Sequence, residues 1–521
     1  GDVTFDDEMS LTPQVSVEEA GEYVLELTTD DLEYRASDTL TLTAMTAPLC
    51  NPDTLQGFLA APLNGAHVAG QVPVTLAEDA ALTHLRVDLW PEYDPDASRS
   101  LAENVTGAGG ATVVTLDATR LANDSYMLCA VGFDTAAEDW RFAAVMVTAE
   151  GAYKPGRVRF SVTDLVVPLT GLPITIGRTY DSLERHHSGD FGYGWTLDVA
   201  NPRVEVDAAN NVTLTMPDGS RKTFYFTPDV PSWVFGFLSL PKYTPEPGVH
   251  GSLESNGCEL VTVSGGQTFC FPGPLYAETV TEFIYTDPYG REFVMRADGA
   301  LKSIRDLNDN TLSFTPDGIA STTGLSVPFV RDSQGRIVRI TDPMGRIYRY
   351  EYDAAGDLVA VHLPDTSPIR YDYDDTPELA HFFLSGTDPR GHTVAATTYT
   401  PDGRLETVTD ALGNVTHYAY DLDARTTTIT NPDGGVEVSS FDAAGNLLSQ
   451  TDPLGRTTTY TYDENNNLTS ETNALGEITS YTYDENGHRT SATDPLGNRL
   501  ITVVYNRHGG PIELTDGLGR V

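Results

Sequence analysis

A turn of the form Asp/Asn-x-x-Gly recurs at Asp410, Asn431, Asp452, Asn473 and Asp494, each step being 21 residues. The aromatic-acidic pairs Tyr420-Asp421, Phe441-Asp442, Tyr462-Asp463 and Tyr483-Asp484 keep the same step. A strict short period means that each unit is one small element that gains its core from its neighbours. The unit reads as strand, turn, strand, turn. Asp452-Pro453-Leu454-Gly455 has Asp at the first, Pro at the second and Gly at the fourth position, the preferences of a type I turn. The chain then extends through Arg456-Thr457-Thr458-Thr459-Tyr460-Thr461-Tyr462, whose alternation puts Thr458, Tyr460 and Tyr462 on one face. Asp463-Glu464-Asn465-Asn466 turns it back, and Leu468–Thr472 leads to the next unit. Looser copies begin at Asp287 and Asp342, so the repeat region spans 281–521. Two strands at ~4.8 Å spacing advance roughly 10 Å per unit, and about ten units make a curved sheet around 100 Å along its arc. Propeller blades would need a period near 40 to 50 residues.

Upstream the grammar differs. In residues 1–46, Gly21–Thr28 and Asp38–Thr43 alternate as two strands around a Thr-Asp-Asp turn, and they resemble the last strands of a bacterial immunoglobulin-like or polycystic-kidney-disease-like surface module. Residues 47–149 show short strands with turn signals between them, the size of one immunoglobulin-like β-sandwich.

From 150 the pattern changes again. Leu172–Ser182 contains Arg178-Thr179-Tyr180-Asp181-Ser182, and Gly189–Trp195 contains Phe191-Gly192-Tyr193-Gly194-Trp195. This pair of runs resembles the entry segment of Rhs and YD-repeat proteins, and with the repeats the resemblance covers 150–521. It implies an all-β fold, with immunoglobulin-like β-sandwich modules followed by a spiralling YD-repeat β-hairpin shell, whose entry segment occupies 150–280. In bacterial Rhs proteins and insecticidal toxin complexes such a shell encloses a C-terminal toxin cut free inside it, whereas teneurin-like members use it in adhesion.

Charge narrows the partners. Asp plus Glu number 75 against 32 Lys plus Arg, a formal charge of −43, and only four of the bases are lysine (Lys154, Lys222, Lys242, Lys302). That excess disfavours binding nucleic acid through its phosphates or an anionic membrane surface. No run approaches the roughly 18 apolar residues of a membrane helix. Four cysteines give two expected structural disulfides and an oxidising compartment: Cys258 with Cys270 across a hairpin that turns at Gly265-Gly266, and Cys50 with Cys129.

Chemistry-bearing constellations are scarce. The chain has no G-x-S-x-G, H-E-x-x-H, P-loop or G-x-G-x-x-G run. The adjacent pair His186-His187 reads as part of a polar loop. Asp306–Asn310 and Asp421–Asp423 imitate the opening of a calcium loop but lack its later glycine and glutamate, so calcium is the one cofactor with any sequence support and none is expected. Every repeated Asp already has a turn to form. The expectation is therefore a non-enzymatic shell fragment of a secreted or cell-surface protein. Its first partner would be the C-terminal part of its own parent chain, as cargo or as the rest of the shell, because Gly1 and Val521 read as cuts inside a longer protein. The alternative is a surface adhesin binding a glycan or a protein.

Overall fold

In the computed structural model the described residues are 57–521, apart from 79, 92–98, 199–202, 208, 217–219, 230–238, 257–259, 265–266, 272–279 and 298; of residues 1–56 only backbone strands are described. The fold is all-β, with short 3-10 turns and no α-helix among the described residues. The chain divides into two compact units: Gly1–His67, Val72–Leu116 and Ser125–Thr148 form the first, and Val68–Gln71, Asp117–Asp124 and Ala149–Val521 the second.

The first unit holds a three-stranded sheet (Thr112–Asp117, Gln71–Leu76, Leu59–Ala61) and a five-stranded one (Ala66–Val68, Asp139–Ala149, Ser125–Asp134, Ala81–Pro91, Arg99–Ala108). Both bury apolar side chains, including Val74, Leu76, Leu85, Val87, Leu128 and Val145. The strands expected near its start pair as Gly21–Asp30 with Arg35–Ala44, Leu25 lying opposite Leu40.

In the second unit Arg159–Val167, Ile174–Asp181 and Trp195–Leu197 form one sheet, and Arg203–Val206, Val212–Thr215, Arg221–Phe226 and Tyr243–Pro245 another. The repeats form a single antiparallel sheet of 24 strands, in which Ser252–Asn256 is followed by Glu282–Thr286 and then by every later strand in chain order to Pro511–Asp516. Sequential pairing is what an all-hairpin array must give, because each strand's nearest partner is the one it turns into. The strand Ser252–Asn256 joins this sheet from ahead of residue 281, where the repeats become legible.

The Asp-x-x-Gly turns show why the period holds. Gly455 donates to the Asp452 carbonyl at 2.9 Å and adopts φ of +77°, and Asp452 N–H donates to Arg456 O at 3.0 Å. This is a three-residue hairpin loop, a type I turn followed by a left-handed residue in a bulge. Only glycine enters that conformation cheaply, and Asn466 takes it in the turn after Asp463.

The core of this unit lies between the entry segment and the early repeats. Ile174, Ile176, Tyr180, Phe191, Trp195, Val212 and Leu214 share one cluster with Phe283, Met295, Val327, Ile337, Ile340, Tyr350, Leu358 and Phe383. Beyond Leu405 the strands bury few side chains.

Candidate functional site: the entry motif on the repeat sheet

The two runs Arg178–Ser182 and Phe191–Trp195 converge on the strands between 337 and 399. Extended backbone at Ile174–Asp181 turns alternate side chains inward, and Arg178 is fully buried opposite Val162 and Leu197. A buried guanidinium needs a counter-charge and a filled set of hydrogen bonds. Asp164 supplies the first: Arg178 Nε donates to Oδ2 at 2.8 Å and Nη2 to Oδ1 at 3.2 Å. Nη2 also donates to Tyr371 Oη at 2.9 Å, and Tyr350 Oη donates to Asp164 Oδ2 at 2.9 Å. The guanidinium carbon lies 4.7 Å from the Trp195 ring centroid and 5.3 Å from that of Tyr371. Burial works against the charge, yet Asp164 and Tyr371 hold Arg178 above the ordinary arginine range. The same burial, with the Asp164 carboxylate beside it, pushes the Tyr350 hydroxyl well up.

Around this ion pair three motif aromatics hold the repeats between Tyr373 and Phe383. Tyr180 Oη donates to His381 O at 2.8 Å and accepts from Phe383 N–H at 2.9 Å. Trp195 Nε1 donates to Tyr373 Oη at 2.7 Å. Tyr193 stacks on the His381 ring at 3.9 Å, and that ring's Nδ1 is 2.9 Å from both Asp357 oxygens. At Gly192, φ is +88° and an added Cβ would stand 2.4 Å from Gly356 O, so any side chain would prise the motif off the sheet. Asp181 caps the following turn through Leu183 N–H at 3.1 Å and is ion-paired with Arg157. The run matched by sequence is therefore a grip on the repeats.

Consecutive antiparallel strands put alternate turns on opposite edges, so the sheet has two rows. The second row, which includes the turns starting at Asp332, Asp353, Asp374, Thr400, Asp421, Asp442, Asp463, Asp484 and Asn506, meets the entry segment and its continuation to Ser252 at several points. Ile337 N–H donates to Asp190 O at 2.8 Å, Leu405 N–H to Gly156 O at 3.1 Å and Ala152 N–H to Ala444 O at 3.2 Å. Gly248 N–H donates to Asn486 O at 2.7 Å and Gly251 N–H to His508 O at 2.9 Å. Here the His250 and His488 rings lie 4.4 Å apart, and Ser252 Oγ is 2.9 Å from His508 Nδ1. Burial first, then His488 and Lys222, pull the His250 pKa below the ordinary histidine value.

Two regularities run the length of the sheet. In the turns, Oδ1 of the first Asp accepts the N–H groups two and four residues on, while Oδ2 accepts from the side chain four on: Asp410 with Asn414, Asp452 with Arg456, Asp494 with Asn498, Asp516 with Arg520. Hydrogen bonding from that fourth residue is the chief cause holding Asp306, Asp388, Asp410, Asp452, Asp463, Asp494 and Asp516 below the usual carboxylate range. In the strands, a tyrosine hydroxyl reaches a carbonyl 15 residues back: Tyr352 to Ile337, Tyr373 to Leu358, Tyr420 to Leu405, Tyr462 to Leu447 and Tyr483 to Leu468, at 2.7–3.0 Å. Each unit thereby clips the one before it.

The residues singled out by sequence fall as follows. Cys129 is buried opposite Ala144 and Asp88 and is disulfide-bonded. Cys50 and Cys258 lie outside the described residues. The hairpin Leu260–Ser264 with Gln267–Phe271 sets Cys270 opposite Val261, its side chain also being outside them. His187 belongs to the loop: its N–H donates to Glu184 O and its carbonyl accepts from Gly194. Asp306 Oδ1 accepts from Asn308 and Asn310 N–H and Oδ2 from Asn310 Nδ2, while Asp421 Oδ1 accepts from Ala424 N–H, so both acids of the calcium-like runs serve turns. Among the described residues no group of three or more His, Cys, Asp or Glu is placed to hold a metal ion. The long-range partners of Arg178, Asp164 and Tyr371, were invisible to sequence reasoning, although an arginine inside an alternating apolar strand is itself a sign of a buried ion pair.

Comparison with known proteins agrees with this reading of the repeats. The family described as RHS Repeat matches residues 331–368, 399–436, 441–478 and 462–499, and one described as Domain of unknown function (DUF6531) matches 153–224. Similar solved structures include the crystal structure of TcdB2-TccC3-Cdc42, 12% identical with a TM-score of 0.29, covering 75% of this chain and 26% of that one. The crystal structure of TcdB2-TccC3 is likewise 12% identical with a TM-score of 0.29, covering 76% and 27%. The chain thus spans about a quarter of the length of the solved chains it matches. No curated protein matches it. Among the described residues no helix is long and apolar enough to cross a membrane.

Proposed function

We propose, starting from the membership of this chain in the Rhs/YD-repeat proteins, that it is a non-catalytic wall segment of a secreted or cell-surface protein, built to enclose a C-terminal part of the same parent chain. The observation that carries the reading is the unbroken 24-stranded sheet gripped by a dedicated entry motif. Its recurrent carboxylates spend their oxygens on turn N–H groups, and its recurrent tyrosines spend their hydroxyls on neighbouring carbonyls. A polymer of this kind makes surface at constant cost per unit. Placement outside the cell is supported by the disulfide at Cys129, and we assign its partner as Cys50 and a second bridge to Cys258 and Cys270.

The experiment is an intact mass, a denaturing gel and native size exclusion on the full-length parent. A C-terminal piece that is severed yet co-elutes with the repeats is the expected result. A chain that stays whole, with no separable C-terminal domain, refutes enclosure and transfers the role to adhesion, with glycan and cell binding as the next assay.

A further inference from the structure

Thr400-Pro401-Asp402-Gly403-Arg404 begins with threonine where Asp388, Asp410 and Asp421 begin the adjoining turns, so Arg404 meets no carboxylate at the first position. Arg456 and Arg520 stay on their own turns with side chains 65% and 75% exposed, whereas that of Arg404 is 3% exposed. It reaches the entry segment instead. Nη1 donates to Pro155 O at 2.9 Å and Nη2 to Thr119 Oγ1 at 3.0 Å, and the guanidinium pairs with Asp402 beside it and with Asp117. Two glycines permit the approach: a Cβ at Gly156 would stand 2.5 Å from Arg404 Cβ, and one at Gly403 would stand 2.9 Å from the Phe382 ring.

Three more arginines meet Arg404 there. Arg120, Arg157, Arg185 and Arg404 line one cavity, and no carboxylate is among its lining residues. In a chain with 75 acids and 32 bases, that is the reverse of what chance placement supplies. Arg157 is paired with Asp181, and Arg185 Nη1 donates to Ser182 O at 3.2 Å while its guanidinium carbon lies 4.3 Å from the Phe382 ring centroid. Arg120 differs: it is half-buried, and among the described residues no hydrogen bond or ion pair reaches its guanidinium. Burial holds its pKa below the ordinary arginine value against the pull of Asp117 and Asp402, and Arg404 pushes the same way as burial. A guanidinium withdrawn from water in this way calls for a counter-charge within bonding distance. Size selects it. The cavity offers about 10 Å³, the space that one water-sized particle needs, and it has no room for the several heavy atoms of a phosphate, a sulfate or a carboxylate. We infer that this four-arginine cavity is a binding site for a single halide ion, read here as chloride. The ion completes Arg120 and ties together three stretches of one unit: residues 119–120, the turn Ser182–Arg185 after the entry motif, and the repeat turn 400–404. The inference goes beyond the wall reading, since it makes the fastening of the entry segment to the repeats depend on halide.

The test uses the 521-residue chain at constant ionic strength, with sodium chloride exchanged stepwise for sodium gluconate, an anion too large to enter. Amide exchange is read at Thr119, Ser182 and Leu405, whose N–H groups bond Asp117 Oδ1, Val158 O and Gly156 O around the cavity. An ion that binds only the closed site slows exchange by the factor 1 + [chloride]/Kd, so protection of at least about threefold is expected at ~300 mM chloride, with bromide acting alike. Exchange in Leu468–Thr472, remote from the cavity, should not respond. Arg120→Gln should match the wild type in gluconate, because it removes no bond, and should lose the response to halide. Bromide-soaked crystals give the direct reading, one anomalous peak inside the cavity. Equal exchange in gluconate and chloride overturns the site and leaves the cavity to water. Halide protection that survives Arg120→Gln also overturns it, by placing the ion elsewhere, and so does a bromide-soaked crystal with no peak among the four arginines.

Discussion

Replacing Arg178 by alanine isolates the energetics of the entry motif. The wild-type pair is as dry as ion pairs become, with side-chain exposure of 0% for Arg178 and 1% for Asp164. The substitution deletes two charged hydrogen bonds to Asp164, one to Tyr371 Oη and the cation over Trp195, and leaves the carboxylate with Tyr350 Oη as its remaining donor within this cluster. Orphaning one member of a buried pair costs about 3–5 kcal/mol, which at ~1.36 kcal/mol per decade is roughly two to three and a half decades in a local opening equilibrium. A global melting temperature is a poor readout, because a repeat array need not unfold in one step. Amide hydrogen exchange resolves it: protection in Ile174–Asp181 and Ile369–Tyr373 should fall by that factor, while Leu468–Thr472, remote from the motif, keeps its rates. The paired control is Arg178→Met with Asp164→Leu, which removes both charges at similar volume and should restore most of the protection, since buried ion pairs are often matched by well-packed apolar groups. A loss below tenfold in Arg178→Ala, or a double variant worse than the single one, would refute the reasoning.

Three further outcomes follow from the same geometry. The turn aspartates have folded pKa values depressed below the unfolded carboxylate value near ~3.9, so their support is complete above that value and is lost as pH falls through the folded ones; amide exchange in the repeat strands, corrected for intrinsic rates, should show protection declining below about pH 4, and Asp452→Asn with Asp494→Asn should blunt the decline. His250, faced by His488, Lys222 and Asp484, has a depressed pKa, so the unfolded chain binds its proton more readily and stability is lost as pH drops below ~6.5; exchange at Gly248 and Gly251, corrected for intrinsic rates, should quicken between pH 7.5 and pH 5, and His250→Gln should flatten the response. Tyr462→Phe deletes the 3.0 Å bond to Leu447 O and should cost about 0.5–1.5 kcal/mol, read as exchange in Leu447–Thr451 faster by roughly 2- to 12-fold.

What the sequence disclosed was everything that repeats or is local. The Asp-x-x-Gly turns, the alternation that sets Thr458, Tyr460 and Tyr462 on the more buried face, and the hairpin order follow from dihedral preference and period two. The motif Arg178–Ser182 with Phe191–Trp195 was legible as a unit, but its purpose was not, because its hydrogen-bond partners on the repeats lie 178 to 203 residues away. That each unit gains its core from its neighbours was the expectation; a hydroxyl bonded to a carbonyl 15 residues back on the neighbouring strand also needs the strand pairing, which no local window contains. The difference between the two edges required the pairing order. Once strands are known to follow one another, Leu454 and Asn465 must lie on opposite sides, and before that they are merely two loop residues.

The tyrosine clips bear on how genes of this kind change length. Each hydroxyl and its carbonyl fall within 15 residues, less than one 21-residue unit. Loss or duplication of a whole unit in a gene therefore removes or adds a donor, an acceptor and two turns together, and the chain on either side rejoins in phase. A change of about half a unit reverses the direction of every later strand, moves leucine-tipped turns to the edge that the entry segment occupies, and strands the next tyrosine without its carbonyl. Coding sequences of this type should drift in steps of 63 nucleotides.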